Sequence, residues 1–123
     1  MKEENIVRDK SIKFAVNTVK FCKFLQEEKK EFVLSRQLLK SGTSVGANIR
    51  EAEYAQSRAD WISKLKIAEK EANETEYWLF LMHEGKYISD AAYKVMGNEI
   101  KQICSLLAAI CLTAKQPQQT DGE

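Results

Sequence analysis

Near the middle of the chain Gly42-Thr43-Ser44-Val45-Gly46 has the G-x-S-x-G spacing of a nucleophilic serine. Asp60 and His83 follow in the order an α/β-hydrolase triad takes. That chemistry needs a strand feeding a strained turn into a helix. Here the surrounding residues, Leu34 to Glu53, repeat with helical period and no strand-like run precedes them, so Ser44 is predicted to lie within a helix. A phosphate loop fails at the next residue: Gly46 is followed by Ala47 rather than a Lys-Ser or Lys-Thr pair, and no G-x-G-x-x-G occurs. A carboxylate-bridged metal site in a helical bundle needs Glu-x-x-His on two helices and two further glutamates. The chain has one histidine, His83, with Phe80 three residues before it, which leaves only the pair Glu71 and Glu74. His83 itself falls in the last turn of a predicted helix, where a cation interacts favourably with the dipole. No catalytic, cofactor-binding or metal-binding residue is assigned, and the protein is not expected to be an enzyme.

Cys22, Cys104 and Cys111 are an odd number with no C-x-x-C spacing. They read as small buried hydrophobes in a reducing compartment, which predicts a cytoplasmic protein. The first ten residues, MKEENIVRDK, contain no apolar signal-peptide core, and the most apolar run, Ile103 to Ala114, is too short to span a bilayer; no membrane partner is expected. With 123 residues, 44% of them hydrophobic, 30% charged and a single proline, the chain suits one helical domain with a core of its own. Its 19 basic and 18 acidic residues leave a net charge of +1, which argues against a strongly electrostatic partner such as bare duplex DNA.

The elements that position these residues are four helices, predicted over about 6–28, 35–56, 58–84 and 90–115, in an all-α, antiparallel up-down-up-down four-helix bundle. Ser35 is the expected N-cap of the second helix, Ser57 with Asp60 forms a capping box for the third, and Gly85 is its expected C′ residue. Ser89 or Asp90 caps the fourth. The tail QPQQTDGE, residues 116–123, has nothing to bury and is expected to be disordered. Seams at three-four spacing are plain in the third helix (Trp61, Leu65, Ala68, Ala72, Thr75, Leu79, Met82) and the fourth (Met96, Ile100, Ile103, Leu107, Ile110, Ala114).

The second helix carries Gly42 and Gly46 in its interior, each costing about 0.5–1 kcal/mol relative to alanine. Close approach of a neighbouring helix would offset that cost, with Ser41, Gly42, Val45, Gly46 and Asn48 as the close-packing set. The first helix is apolar around roughly 200° of its circumference, wider than one seam needs. Ile12 and Val16, at the edge of that arc, are candidates for a subunit interface. A second stripe of the third helix, Ile67, Glu71, Glu74, Trp78 and Leu81, mixes apolar groups with carboxylates. Its members Ile67, Glu71, Glu74 and Trp78 are further interface candidates, with Asn48 or Arg50 as partners for the carboxylates. Lys13, Lys20, Lys23, Lys40 and Arg50 lie off the main seams on the two more basic helices and are the candidate nucleic-acid contacts.

Two blocks carry a family resemblance: Gln37-Leu38-Leu39-Lys40-Ser41, Thr43-Ser44-Val45-Gly46-Ala47-Asn48-Ile49 and Glu51 in the second helix, then Ala68, Lys70-Glu71-Ala72, Glu74-Thr75 and Trp78-Leu79 in the third. Over about Ile6 to Ala114 the sequence resembles the four-helix-bundle family of 23S rRNA intervening-sequence proteins. These are similar to the accessory variability-determinant protein of diversity-generating retroelements. The resemblance implies a ring-like homopentamer that engages structured RNA or a reverse-transcriptase-like protein, and it supplies no catalytic residues. A structural or protein-interaction scaffold without a nucleic-acid role is the alternative.

Overall fold

Four proline-free stretches form the helices α1 (Lys2–Glu28), α2 (Val33–Glu53), α3 (Arg58–Glu84) and α4 (Asp90–Lys115). The computed structural model describes residues 2–115; the tail expected to be disordered lies outside the described residues. α1 begins at Lys2, four residues before the predicted start, with Glu3 and Glu4 in its first turn facing the positive end of the helix dipole. α2 is shifted at both ends relative to the prediction, and the reason at its start is Glu31. Ser35 is not the N-cap but a buried residue of the first turn. The Glu31 carboxylate reaches over the helix end and accepts from the amides of Val33, Leu34 and Ser35 at 3.3, 3.1 and 2.8 Å. Three orphan donors are thus satisfied by a negative charge at the positive end of the dipole.

The other ends follow ordinary capping chemistry. Ser57 Oγ accepts from the Asp60 amide at 3.0 Å and opens α3, and Ser89 Oγ accepts from the Ala92 amide at 3.1 Å and opens α4. At the close of α3 the Tyr87 amide donates to the Met82 carbonyl at 2.8 Å and the Lys86 amide to His83 at 3.1 Å. This is a Schellman motif, and it moves the left-handed position one residue along. Gly85 is the right-handed C-cap with φ −81°, not C′, and Lys86 takes φ 64°. Lys30, in the α1–α2 connection, is the other left-handed non-glycine among the described residues, with φ 55°.

Each helix packs on its two neighbours around a square, α1 on α2, α2 on α3, α3 on α4 and α4 back on α1. The contacts run in opposite sense along each pair. Cys22 meets Ser35 while Ser11 meets Gly46; the end of α2 at Ile49 and Ala52 lies beside the start of α3 at Trp61 and Leu65, with Ser41 meeting Thr75 further along; His83 meets Asp90 while Arg58 meets the Ala114 carbonyl. Glu3 and Glu4 at the start of α1 share a cleft with Ala109, Ile110 and Ala114 at the end of α4. The bundle is therefore antiparallel throughout, as short connections require.

The predicted seams fill the core. Phe14, Leu25, Leu38, Val45, Leu79, Met82, Ile100, Ile103 and Leu107 are fully buried. Each such side chain contributes about 1.5–3 kcal/mol relative to exposure. Trp61 and Phe21 are only partly buried against this core. By length and composition Asp90–Ala114 is long and apolar enough to cross a membrane, its most apolar 18-residue stretch having mean hydropathy 1.3, although the run Ile103 to Ala114 alone is too short. In the bundle its apolar side is the α4 seam.

Within this core sits a small-residue layer. A Cβ on Gly42 would lie 3.0 Å from Thr18 Cγ2 and 3.5 Å from Phe14 Cε2, and one on Gly46 would lie 3.3 Å from Ser11 Oγ. Ser41 and Val45 are buried beside them, whereas Asn48 is half-buried and donates to the Ser44 carbonyl at 2.8 Å. Across the α2–α3 seam Thr75 Oγ1 is 2.9 Å from Ser41 Oγ and donates to the Glu71 carbonyl at 2.7 Å. Thr18 Oγ1, fully buried, has no hydrogen-bond partner.

Candidate functional site

The G-x-S-x-G segment lies inside α2, and Ser44 Oγ donates to the Lys40 carbonyl at 2.6 Å. Asp60 and His83 sit at opposite ends of α3, about 35 Å apart at 1.5 Å per residue, so no triad can assemble. Among the described residues no group of three His, Cys, Asp or Glu side chains is arranged to hold a metal ion. Cys22 is buried, donates to the Ser35 carbonyl at 3.3 Å, and has its pKa pushed up to about 12 by burial and then by Glu31. Burial, then Glu76 and Glu69, raises Cys104 to about 11. Both thiols are held in the unreactive protonated form.

What the fold presents instead is apolar and basic surface. On α1 the line Val7, Ser11, Phe14, Thr18, Cys22 and Leu25 is buried, which leaves Ile12, Val16 and Val19 exposed at 53%, 46% and 49%. Their register places them beside one another on the outer side of the helix, away from α4. On α3 the second stripe also faces outward. Ile67 is exposed and Glu71, Glu74 and Trp78 are half-buried, with the Trp78 indole donating to Glu74 at 3.4 Å and Tyr77 edge-on to it at 5.3 Å. Within one chain these carboxylates are not bonded to Asn48 or Arg50. Asn48 is spent on its own helix, and Arg50 lines a separate groove with Ala47, Tyr54, Asp60 and Lys64 near the α2–α3 connection.

The five candidate cations are exposed but do not converge on one patch. Lys13 lines a small cleft with Lys10, Glu99 and Gln102 on the α4 side of α1, and Lys20 follows it along that side. Lys23 flanks the Val16–Val19 strip by register, and Lys40 and Arg50 occupy separate places on α2.

Two clefts at opposite ends of the bundle escaped the sequence reading. One, of about 810 Å³, is lined by Trp61, Leu106, Ala109, Ile110, Arg58 and the acidic start of α1; the Arg58 guanidinium stands 5.5 Å over the Trp61 ring and donates to the Ala114 carbonyl at 3.3 Å. The other, of about 720 Å³, lies at the end formed by the α1–α2 and α3–α4 connections and is lined by Phe21, Phe24, Lys29, His83, Lys86 and Tyr87, with Ile88, Ser89, Asp90 and Ala92. There Phe21 and Phe24 stack at 6.4 Å, Lys29 Nζ is 5.9 Å from the Phe24 centroid, and His83 stacks on Tyr93 at 4.1 Å while bonding Asp90 at 2.7 Å. The only sequence signal for this cleft was aromatic and basic residues flanking two connections that lie far apart along the chain.

An all-α bundle with outward apolar stripes and a basic, aromatic end cleft is a helical module whose distinctive features are surfaces. The chain belongs to the 23S rRNA-intervening sequence protein family, whose sequence model matches residues 3–109. It is similar to a crystal structure of a protein of unknown function from the S23 ribosomal protein family of Bacteroides thetaiotaomicron, with 56% identity and a TM-score of 0.87 over 89% of this chain and 98% of that one. No match is found among curated proteins.

Proposed function

We propose that this protein is a non-enzymatic, self-associating helical bundle of the cytoplasm that binds structured RNA. The exposed Ile12–Val16–Val19 strip on α1 carries the self-association, because a contiguous apolar strip on a small soluble bundle is energetically satisfied by burial against another copy. The half-buried Trp78 with Ile67, Glu71 and Glu74 is the second contact face; aromatic groups are enriched in interface cores. A homopentamer is the state implied by the resemblance. Self-association also offers an answer to the weak basic character of the single chain. Lys13, Lys20, Lys23, Lys40 and Arg50 repeated around an assembly combine modest contacts through avidity.

Light scattering coupled to size exclusion tests assembly, and a monomer at micromolar concentration refutes it. Binding to a structured RNA at low and physiological salt, with wild type and a Lys20→Glu, Lys23→Glu double variant, tests the second half. Steep salt dependence and weakened binding by the variant are expected. The near-balance of 19 basic and 18 acidic residues supports a second reading, a scaffold for protein partners alone. Assembly without RNA binding even at low salt would favour that one.

A further inference from the structure

We propose that the cleft at the connection end of the bundle takes unpaired nucleotides of an RNA loop. Bases stack on the exposed rings of Phe24 and Tyr87, and phosphates lie against Lys29 and Lys86. This rests on the RNA-binding reading above and specifies which part of the RNA is recognised.

Four observations converge on it. Phe24 and Tyr87 are exposed at 44% and 38%, each directly beside a buried core residue, Leu25 and Ile88, that fixes its place at the cleft. Their cleft, about 720 Å³, has room for a nucleotide. Ring and cation already reach the same place, since Lys29 Nζ stands 5.9 Å from the Phe24 centroid, so a base on the ring would bring its phosphate within reach of the ammonium. Lys86 is anchored: its amide is bonded to His83, its neighbour Tyr87 is bonded to Met82, and φ is 64°. A lysine, rather than glycine, therefore stands at a left-handed position on the cleft rim.

The charges lining the cleft suit a polyanion. Lys29 and Lys86 are its cations, and the one carboxylate of the lining, Asp90, is bonded to His83 at 2.7 Å. The whole-chain charge discriminates between RNA forms. At +1 the protein lacks the cation density that holds a duplex by phosphates alone. Stacking needs no such density, and only unpaired bases offer their faces, because an A-form duplex keeps its bases in the stack.

The test uses the full chain and two fluorescent RNAs, a hairpin with an unpaired loop and a blunt duplex built on the same stem. The hairpin should bind more tightly. Phe24→Ala and Tyr87→Ala should each weaken hairpin binding about tenfold and leave duplex binding unchanged, and Tyr87→Phe, which keeps the ring, should retain affinity. A Lys29→Ala, Lys86→Ala double variant should lower the salt slope by about 1.4, at about 0.7 per phosphate contact to a single strand. Circular dichroism melts establish that each variant is folded. Hairpin binding indifferent to loss of either ring, or equal affinity for hairpin and duplex, overturns the cleft assignment while RNA binding stands. A change of assembly size in the ring variants, with RNA affinity kept, overturns it in favour of a second copy as occupant. Binding to neither RNA overturns both readings.

Discussion

Replacing Gly42 by alanine sets two opposing effects against each other at one position. In an isolated helix the change is favourable by about 1 kcal/mol. In this bundle the new methyl would stand 3.0 Å from Thr18 Cγ2, 3.3 Å from Thr18 Oγ1 and 3.5 Å from Phe14 Cε2. Both neighbours are fully buried, so relief requires α1 to shift or Thr18 to leave its rotamer. Overpacking of this kind costs about 1–3 kcal/mol, so the net effect is a loss of roughly 0–2 kcal/mol. Gly46→Ala is the internal control. Its methyl would meet Ser11 Oγ at 3.3 Å, with Ser11 Cβ and its carbonyl oxygen next at 3.7 Å, and a hydroxyl can rotate aside. Rotation disturbs the 2.7 Å bond from Ser11 to the Arg8 carbonyl, so the expected result lies between neutral and about 1 kcal/mol more stable. Urea unfolding at one fixed protein concentration measures both variants, with the slope checked for constancy. Adding Thr18→Ala to Gly42→Ala should restore part of the loss, with a coupling of about 0.5 kcal/mol or more. If both alanine variants are equally stabilised, or if Gly42→Ala and Thr18→Ala simply add, the close-packing argument is wrong.

Thr18→Val replaces a fully buried hydroxyl that lacks a partner with a methyl of similar shape, and should stabilise by up to about 1 kcal/mol; a loss in thermal or urea melts would mean that the hydroxyl is satisfied in solution. Glu31→Ala removes the acceptor shared by three amides at the start of α2 and should cost about 0.5–2 kcal/mol, whereas Ser35→Ala leaves that cap in place; equal amide-exchange protection of Leu34 and Ser35 in wild type and Glu31→Ala would refute the assignment. In native protein at pH 8, Cys22 and Cys104 should react with a thiol reagent about tenfold or more slower than in urea, and prompt labelling would contradict their elevated pKa values. The same thiols give stability a sign at alkaline pH. Above 9.0 the unfolded chain releases protons that the folded chain keeps until about 11 at Cys104 and about 12 at Cys22, so their contribution is full below pH 9 and falls as pH rises through that window.

The bundle was legible because its seams are periodic. Leu65, Ala68, Ala72, Thr75, Leu79 and Met82 recur every three or four residues, and all are buried. Helix ends were less legible where the capping group is not local to the helix. Ser35 has the right chemistry for a cap, but a carboxylate four residues earlier holds the amides, and sequence alone does not rank the two. The left-handed position after α3 fell on Lys86 rather than Gly85 because the Schellman bonds, not residue preference, fix which residue turns. Interior glycines pointed to close approach, whereas the identity of the approaching groups, Thr18 and Ser11, needed the register of α1 against α2. The end cleft was illegible for a similar reason: its two halves come from residues 21–29 and 83–92, which periodicity never relates. Cations read as one set along α1 and α2 are spread around the bundle, since lysines off a seam can lie at any angle outside it.

The antiparallel course of the four helices has a consequence for anything joined to the chain. The acidic start of α1 and the last turns of α4, Ala109 to Ala114, line the same cleft beside Trp61. The α1–α2 and α3–α4 connections lie at the far end, about 35–40 Å away along helices of 26 and 27 residues. The start of α1 and the end of α4 therefore share one pole, and Phe24, Lys29, Lys86 and Tyr87 lie at the opposite one. A surface held against the start of α1 and the end of α4 leaves that opposite pole outward, like the tip of a post.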